Sequence, residues 1–491
     1  MKLSSPTVSA VADKEAQFSW ELLDSGLDPA KGPVTKEFGF MHDPKPMTAA
    51  PTLLPSRWRE LWLNLPHHYA HETVRSFCNE GLETLNVEEI RKQSGNGLAF
   101  MKTKSIVFCI AQAWVDSERV IAEEMDEPPP LPKTLQSAMD DFASLCECPD
   151  YCTLADMSLT ASLLVTDKFD PKSCTFDDFV LISPVNNSER LEEIVANDRE
   201  SARARANAEN RFHNTPTMME YRTHDLVQIV ARTQQLVFQY ESIDGTETEE
   251  QKVIIAELLG LLEAATQSFR RLQEGFGLLN KKTVDPVVWH RDIVKYTSGY
   301  GGHLGMSGPQ APCIHLIDAF LGRTSYKSEL GDTTTKTFAQ IQHNHREFIR
   351  SVAAGPSLRE FAQTLENETP GHPLADAFNK LVDNFTNGFL ALHKGRAIEF
   401  ARQGFNEAGP REFTAETSYI WPATNNVTKK LKGFFDEARQ ERSMLKVVRS
   451  GADANKQTRS NRSHGPQKTV PLQCPFSKQL VAQPIKCPFH K

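Results

Sequence analysis

Helix-length stretches with apolar residues three and four positions apart recur along this chain, while alternating β-branched runs are nearly absent. That pattern restricts the fold more than any other feature. A 3.6-residue period buries one face of a helix, whereas a two-residue period buries one face of a strand. The stretch 103–123 (TKSIVFCIAQAWVDSERVIAE) carries apolar residues at 106, 109/110, 114 and 120/121 and contains no Pro or Gly. A second apolar helix is expected at about 154–165. Longer periodic stretches follow at about 217–242, 247–279, 333–354 with 357–366, and 373–404. The fold class read from them is all-α.

Breaks in the pattern suggest the organisation. Residues 1–35 are polar and mixed and read as a loose leader, followed by a small helical domain over 36–186. Within it Pro128, Pro129, Pro130 and Pro132 form a stiff connector that no helix crosses. Residues 187–216 begin with a run almost wholly charged or polar (NSERLEEIVANDRESARARANAENRF), read as a linker. A large helical domain is expected over 217–447. The segment 448–491 is rich in Lys, Arg, Ser, Asn, Gln and Pro and reads as a disordered tail.

Composition removes several function classes. The 55 Lys and Arg against 63 Asp and Glu leave a formal charge of -8, which argues against a nucleic-acid groove. No run of 18 or more apolar residues is present, so no membrane span is expected. The first residues lack the apolar block of a secretory signal. Nine cysteines without a C-x-x-C pair suggest reduced thiols in a cytoplasmic protein. The group Cys146, Cys148 and Cys152 could hold a soft metal, but no second ligand cluster accompanies it.

Generic catalytic motifs are missing: there is no P-loop, no H-E-x-x-H and no G-x-S-x-G. Gly299, Gly301, Gly302, Gly305 and Gly308 lie in one loop that follows no strand. It reads either as a plain connector or as a place where backbone approaches a ligand closely. His393 stands four residues after Phe389 and four before Ala397, on a stripe that includes Phe378, Val382, Phe385 and Phe400. Two readings fit such a residue: a hydrogen-bonded core histidine, or a neutral imidazole offered to an iron lying against the helix.

Four segments resemble the indoleamine 2,3-dioxygenase family. Residues 305–322 (GMSGPQAPCIHLIDAFLG) are similar to its G-G-S-x-x-Q-S-S-x-x-Q-x-x-D-x-L-L-G, and 345–361 (HREFIRSVAAGPSLREF) to its H-R-x-F-L-x-x-L-x-x-x-P-S-V-R-E-F. Upstream, Val284-Asp285-Pro286 and 296–300 (YTSGY) resemble V-N-P and Y-L-S-G-W, and His393 falls where the family places its haem-ligating histidine. The matches are ordered and cover about 284–404; the N-terminal half is similar only in general pattern.

This resemblance implies a small and a large helical domain enclosing b-type haem, with His393 as the iron ligand. The 305–310 loop, with Ser307 and Gly308, would line the distal pocket. It further implies an oxidoreductase of the dioxygenase type that inserts oxygen into an indole or related small aromatic substrate, as members do when they open the pyrrole ring of tryptophan. Substrate contacts would fall on Trp289, His290, Arg291, Val294 and Gly308. Val294 stands where the family has the arginine that pairs with the substrate carboxylate, and neither Arg291 nor Lys295 is an obvious replacement. The helix 220–228 (EYRTHDLVQ) aligns with the family's F-F-L-V-S-L-L-V-E. That alignment sets Glu220 at a distal phenylalanine and His224 over the haem as an acid–base group.

Two alternatives stand beside the dioxygenase reading. One is a divergent haem enzyme that uses peroxide for hydroxylation, or rearranges a ring. The other is a non-catalytic haem-binding or sensing protein. The Cys474-Pro475-Phe476 and Cys487-Pro488-Phe489 repeats resemble haem-regulatory motifs and are the feature favouring the latter.

Overall fold

Helix α1 (Ser19–Asp24) belongs to the stretch expected to be loose, yet it is packed. Its Ser19 hydroxyl donates to Gln234 at 2.7 Å, and Trp20 stacks on Phe18 with ring centroids 4.4 Å apart. Long-range partners fix what local composition does not. The computed structural model describes residues 18–44, 53–95, 97–122, 130–186, 199–244, 248–297, 305–324, 326–408 and 427–449. Residues 1–17, the tail from 450 and both Cys-Pro-Phe units lie outside that range.

Four short helices come next: α2 (Ser56–Leu63), α3 (Leu65–Ala70), α4 (Val74–Asn79) and α5 (Val87–Gln93). Then comes α6 (Leu98–Ala122), the helix anticipated at 103–123. It is buried on every side from Phe100 to Asp116, which explains its nearly unbroken apolar composition. The part Leu98–Ser117 is apolar and long enough to cross a membrane, but 89% of it is buried inside the fold, as in the core helix of a globule. Its two buried lysines are both paired. Lys104 forms an ion pair with Asp156, and Lys102 donates to the carbonyl of Ser162 at 2.8 Å.

Helix α7 (Lys133–Cys146) starts after the proline connector. The helix expected at 154–165 is instead one π-helical turn, Ala155–Leu159, followed by strand β1 (Ser162–Leu164). β1 pairs antiparallel with β2 (Phe179–Leu181), Ser162 facing Leu181. Asp156 anchors the start of this turn: its carboxylate accepts from the Thr153 backbone at 3.1 Å and from the Thr153 hydroxyl, besides pairing with Lys104. The arrangement is that of a capping box at a helix start. Otherwise helices dominate, and the all-α reading holds.

The expected charged linker is largely helix α8 (Arg199–Arg222). Several of its polar residues are buried or half-buried against tertiary partners. Glu209 accepts the amides of Val185 and Asn186 at 2.8 and 2.7 Å, and Asn210 and Asn214 donate to the carbonyl of Phe179. Burial pushes the Glu209 carboxyl up to about 7. After a turn at Thr223–Asp225 come α9 (Leu226–Glu241) and α10 (Glu249–Leu278), the latter opened by a Thr248/Gln251 capping box.

The C-terminal part comprises α11 (Pro312–Phe320), α12 (Glu329–Thr337), α13 (His343–Ala354), α14 (Leu358–Glu368) and α15 (Pro373–Asp383). A π-helical turn, Asn384–Phe389, leads into α16 (Leu390–Ala408), which packs on α17 (Val427–Ser443). One apolar cluster runs from Ala30 to Val447, so the small and large parts share a core. Across this seam Tyr296 donates to the carbonyl of Cys109 at 3.0 Å, and Gln112 to that of Tyr296 at 2.8 Å.

Candidate functional site

α16 carries His393 one turn beyond the π-helical turn Asn384–Phe389, on the apolar stripe visible in the sequence. Phe378, Val382, Phe385, Phe389 and Phe400 of that stripe are all buried. The His393 ring is enclosed by aromatic side chains. Phe389 lies parallel to it at 6.0 Å, and Phe276 and Phe435 present edges at 5.1 Å each. No described residue hydrogen-bonds the ring, and it borders a cavity of about 230 Å³ that opens to solvent. Burial, with the charge of Arg442 added, lowers the imidazole to about 4, so it is neutral at pH 7 and keeps a lone pair. Of the two readings of His393, the hydrogen-bonded core histidine does not describe this geometry.

The remaining cavity wall is built from distant segments. α8 contributes Phe212, Thr215, Pro216 and Met219; the loop before α11 contributes Met306, Ser307, Gly308 and Pro309. Phe212, Trp289 and Phe400 form one aromatic side, with neighbouring centroids 5.8 and 5.6 Å apart. The Ser307 hydroxyl is buried without a hydrogen-bond partner, an unspent donor and acceptor on an apolar wall. A Cβ built at Gly308 meets no atom within 4 Å, so that backbone borders open space.

Several motif residues act as scaffold for this wall. Gln310 donates to the carbonyl of Gly305 at 2.8 Å and accepts from the amide of Leu154 at 2.7 Å, which ties the 305–310 loop to the N-terminal part. Asp318, fully buried, accepts two 2.7 Å bonds from Arg442 and one from Arg323. Burial opposes its ionisation, but the two guanidiniums outweigh burial and hold its carboxyl below the usual range. His345 donates to Pro33 at 2.8 Å, and Arg346 to Glu147 at 2.7 Å. Gly322, with φ +71°, ends α11 in the left-handed conformation that favours glycine.

The structure redistributes the other expected site residues. His224 is not in the cavity wall. It sits at the turn between α8 and α9, where its Nδ1 donates to the Tyr221 carbonyl at 2.7 Å. Glu220 is buried elsewhere and accepts the amide of Cys313 at 3.0 Å; burial pushes its carboxyl up to about 7. From α8 the wall takes Phe212, Thr215, Pro216 and Met219, and neither Glu220 nor His224. Trp289 does line the cavity, whereas His290 is buried outside the lining. Arg291 is half-exposed and paired with Asp292 at 2.7 Å, so it does not face the cavity. Val294 is fully buried against Leu330, Ala401, Leu431, Phe434 and Phe435. The Lys295 side chain and residues 298–304, which include His303, fall outside the description.

Besides the α8 residues, two further contributors that escaped the sequence reading stand out. One is Arg396. The other is α17, whose Leu431, Phe434, Phe435 and Arg442 close one side. Their spacing of three, four and seven is a helical signal that was present in the sequence. Elsewhere, among the described residues, no group of three or more His, Cys, Asp or Glu side chains is arranged to hold a metal. Cys148 donates to the carbonyl of Pro149 at 3.6 Å.

A haem fits these residues on donor chemistry: a neutral, uncommitted imidazole faces an apolar, aromatic-lined space, with an unpartnered hydroxyl on the same lining. No family model matches the chain, and no curated protein matches it.

Proposed function

We propose that the protein is a haem-dependent oxygenase acting on an indole or a related small aromatic compound. The observation that carries this reading is His393: a neutral imidazole with no hydrogen-bond partner, on the wall of an apolar cavity. The four sequence segments similar to indoleamine 2,3-dioxygenases support it. Bound there, haem would supply activation of dioxygen or peroxide, which side chains alone do not perform.

The chain's own groups have separable tasks. His393 would hold the iron, and its aromatic collar keeps the ring oriented and water away. Phe212, Trp289 and Phe400 offer flat surfaces against which an aromatic substrate packs. Gly308 leaves space beside the loop. The Ser307 hydroxyl can orient a polar substrate atom but has no pKa near neutrality, so it positions and does not act as an acid. With His224 outside the wall, the peroxide-driven alternative loses its proposed acid–base group.

Two measurements test the reading. Purified protein should bind haemin with a Soret band, and His393→Ala should lose most of that binding; unchanged haem content in the variant would overturn the assignment. The second concerns substrate charge. Val294 brings no guanidinium, so tryptophan should bind about tenfold to a hundredfold more weakly than tryptamine, matching a missing charge-assisted bond of roughly 1.5–3 kcal/mol. Micromolar tryptophan binding with efficient ring opening would show that another cation takes the carboxylate.

A further inference from the structure

The cavity wall contains two arginines and no carboxylate among the described residues. The two arginines differ in what they have left to give. Arg442 spends its Nε and Nη2 on Asp318, at 2.7 Å each, and is neutralised there. Arg396 donates only Nη1 to Glu399, at 2.9 Å, and its Nε is buried without a hydrogen-bond partner. Glu399 is also shared with Lys281, at 3.7 Å. Leaving a guanidinium N–H buried and unpaired is unfavourable unless a ligand meets it.

Position narrows the ligand. Arg396 lies three residues after His393, on the same face of α16 and roughly 4.5 Å further along the axis. A planar ligand held at its centre by His393 would therefore have its rim over Arg396. The rest of this wall is apolar: Phe389, Leu390, Ala397, Phe400 and Ala401. We propose that Arg396 is the carboxylate anchor of the cavity and pairs with a propionate of a porphyrin whose iron His393 ligates. This rests on the haem reading above.

The test uses full-length apoprotein titrated with ferric haemin or with haemin dimethyl ester, whose propionates are blocked, each followed at the Soret band. The wild-type chain should bind haemin about tenfold to a hundredfold more tightly than the ester. Arg396→Leu should bring haemin down to the level of the ester and leave the ester unchanged, while Arg396→Lys should retain part of the preference. Circular dichroism checks the fold of each variant, and Arg396→Gln serves if Arg396→Leu does not fold. Equal wild-type binding of haemin and ester, with both lost in His393→Ala, overturns the anchor and leaves the haem reading standing. Binding of neither porphyrin overturns both. A haemin preference that survives in Arg396→Leu, accompanied by weakened tryptophan binding, overturns the propionate assignment and gives Arg396 to a substrate carboxylate.

Discussion

The polar cluster beneath α6 and the cavity beside α16 both place polar groups in apolar surroundings, but they treat them differently. Lys104 and Asp156, at 2% and 1% exposure, are paired with each other, and the second Asp156 oxygen is taken up by Thr153. At the cavity the Ser307 hydroxyl, the Arg396 Nε and the His393 ring have no hydrogen-bond partner. Satisfied buried groups hold a structure together; unsatisfied ones on a cavity wall carry a cost that a ligand can remove. Unsatisfied buried groups occur elsewhere too, as at His213 and Thr233, so the contrast marks the cavity only where such groups gather on one wall.

Acidification presses on that contrast most strongly. His42, His315 and His393 are lowered to about 4, and His213 and His345 to about 3, chiefly by burial. In the unfolded chain these rings take up protons below about 6.5, so stability falls as pH drops from there toward the folded values. Burial raises Glu209 and Glu220 to about 7, so the folded state takes up protons first and stability rises between pH 7 and about 4.5. Five histidines outweigh two glutamates. The urea midpoint should fall between pH 7 and 5, by a loss on the order of 5 kcal/mol. A midpoint that rose over this window would mean that the buried histidines are protonated in the fold.

Breaking the scaffold pair comes next. Asp156→Ala leaves Lys104 buried without its counter-charge and should cost about 3–5 kcal/mol in chemical denaturation. His393→Ala should cost far less, although on the proposed reading it should lose most haem uptake. Equal losses in the two variants would erase the distinction between the regions. Ser307→Ala removes an unsatisfied hydroxyl and should raise apoprotein stability by about 1 kcal/mol; a loss of that size would reveal a partner for the hydroxyl. His224→Ala should be the mildest change, within about 0.5 kcal/mol and with no effect on haem affinity. A drop in haem affinity would return His224 to the distal side.

Legibility in the sequence followed the range of the interactions. The stripe leading to His393 could be read because helical periodicity is local: the residues that share its face are three and four apart. Ser307 and Gly308 were found through their segment's similarity to a family motif. α8 was misread because its buried face is polar, with Glu209, Asn210 and Asn214 matched to backbone groups from Phe179 to Asn186. The 154–165 segment holds a strand because Ser162–Leu164 pair with Phe179–Leu181, a partner that local periodicity does not show.

The sequence by itself determined the helical class, the stripe carrying His393 and the absence of an arginine at position 294, since each is a matter of residue identity at short spacing. Only the tertiary structure decided that Phe212 and Met219, rather than His224, wall the cavity. It also decided that Arg442 is spent on Asp318 while Arg396 keeps an unpaired N–H. Whether a buried polar group is satisfied depends on partners that may be a hundred residues away, and local patterning does not encode that distance.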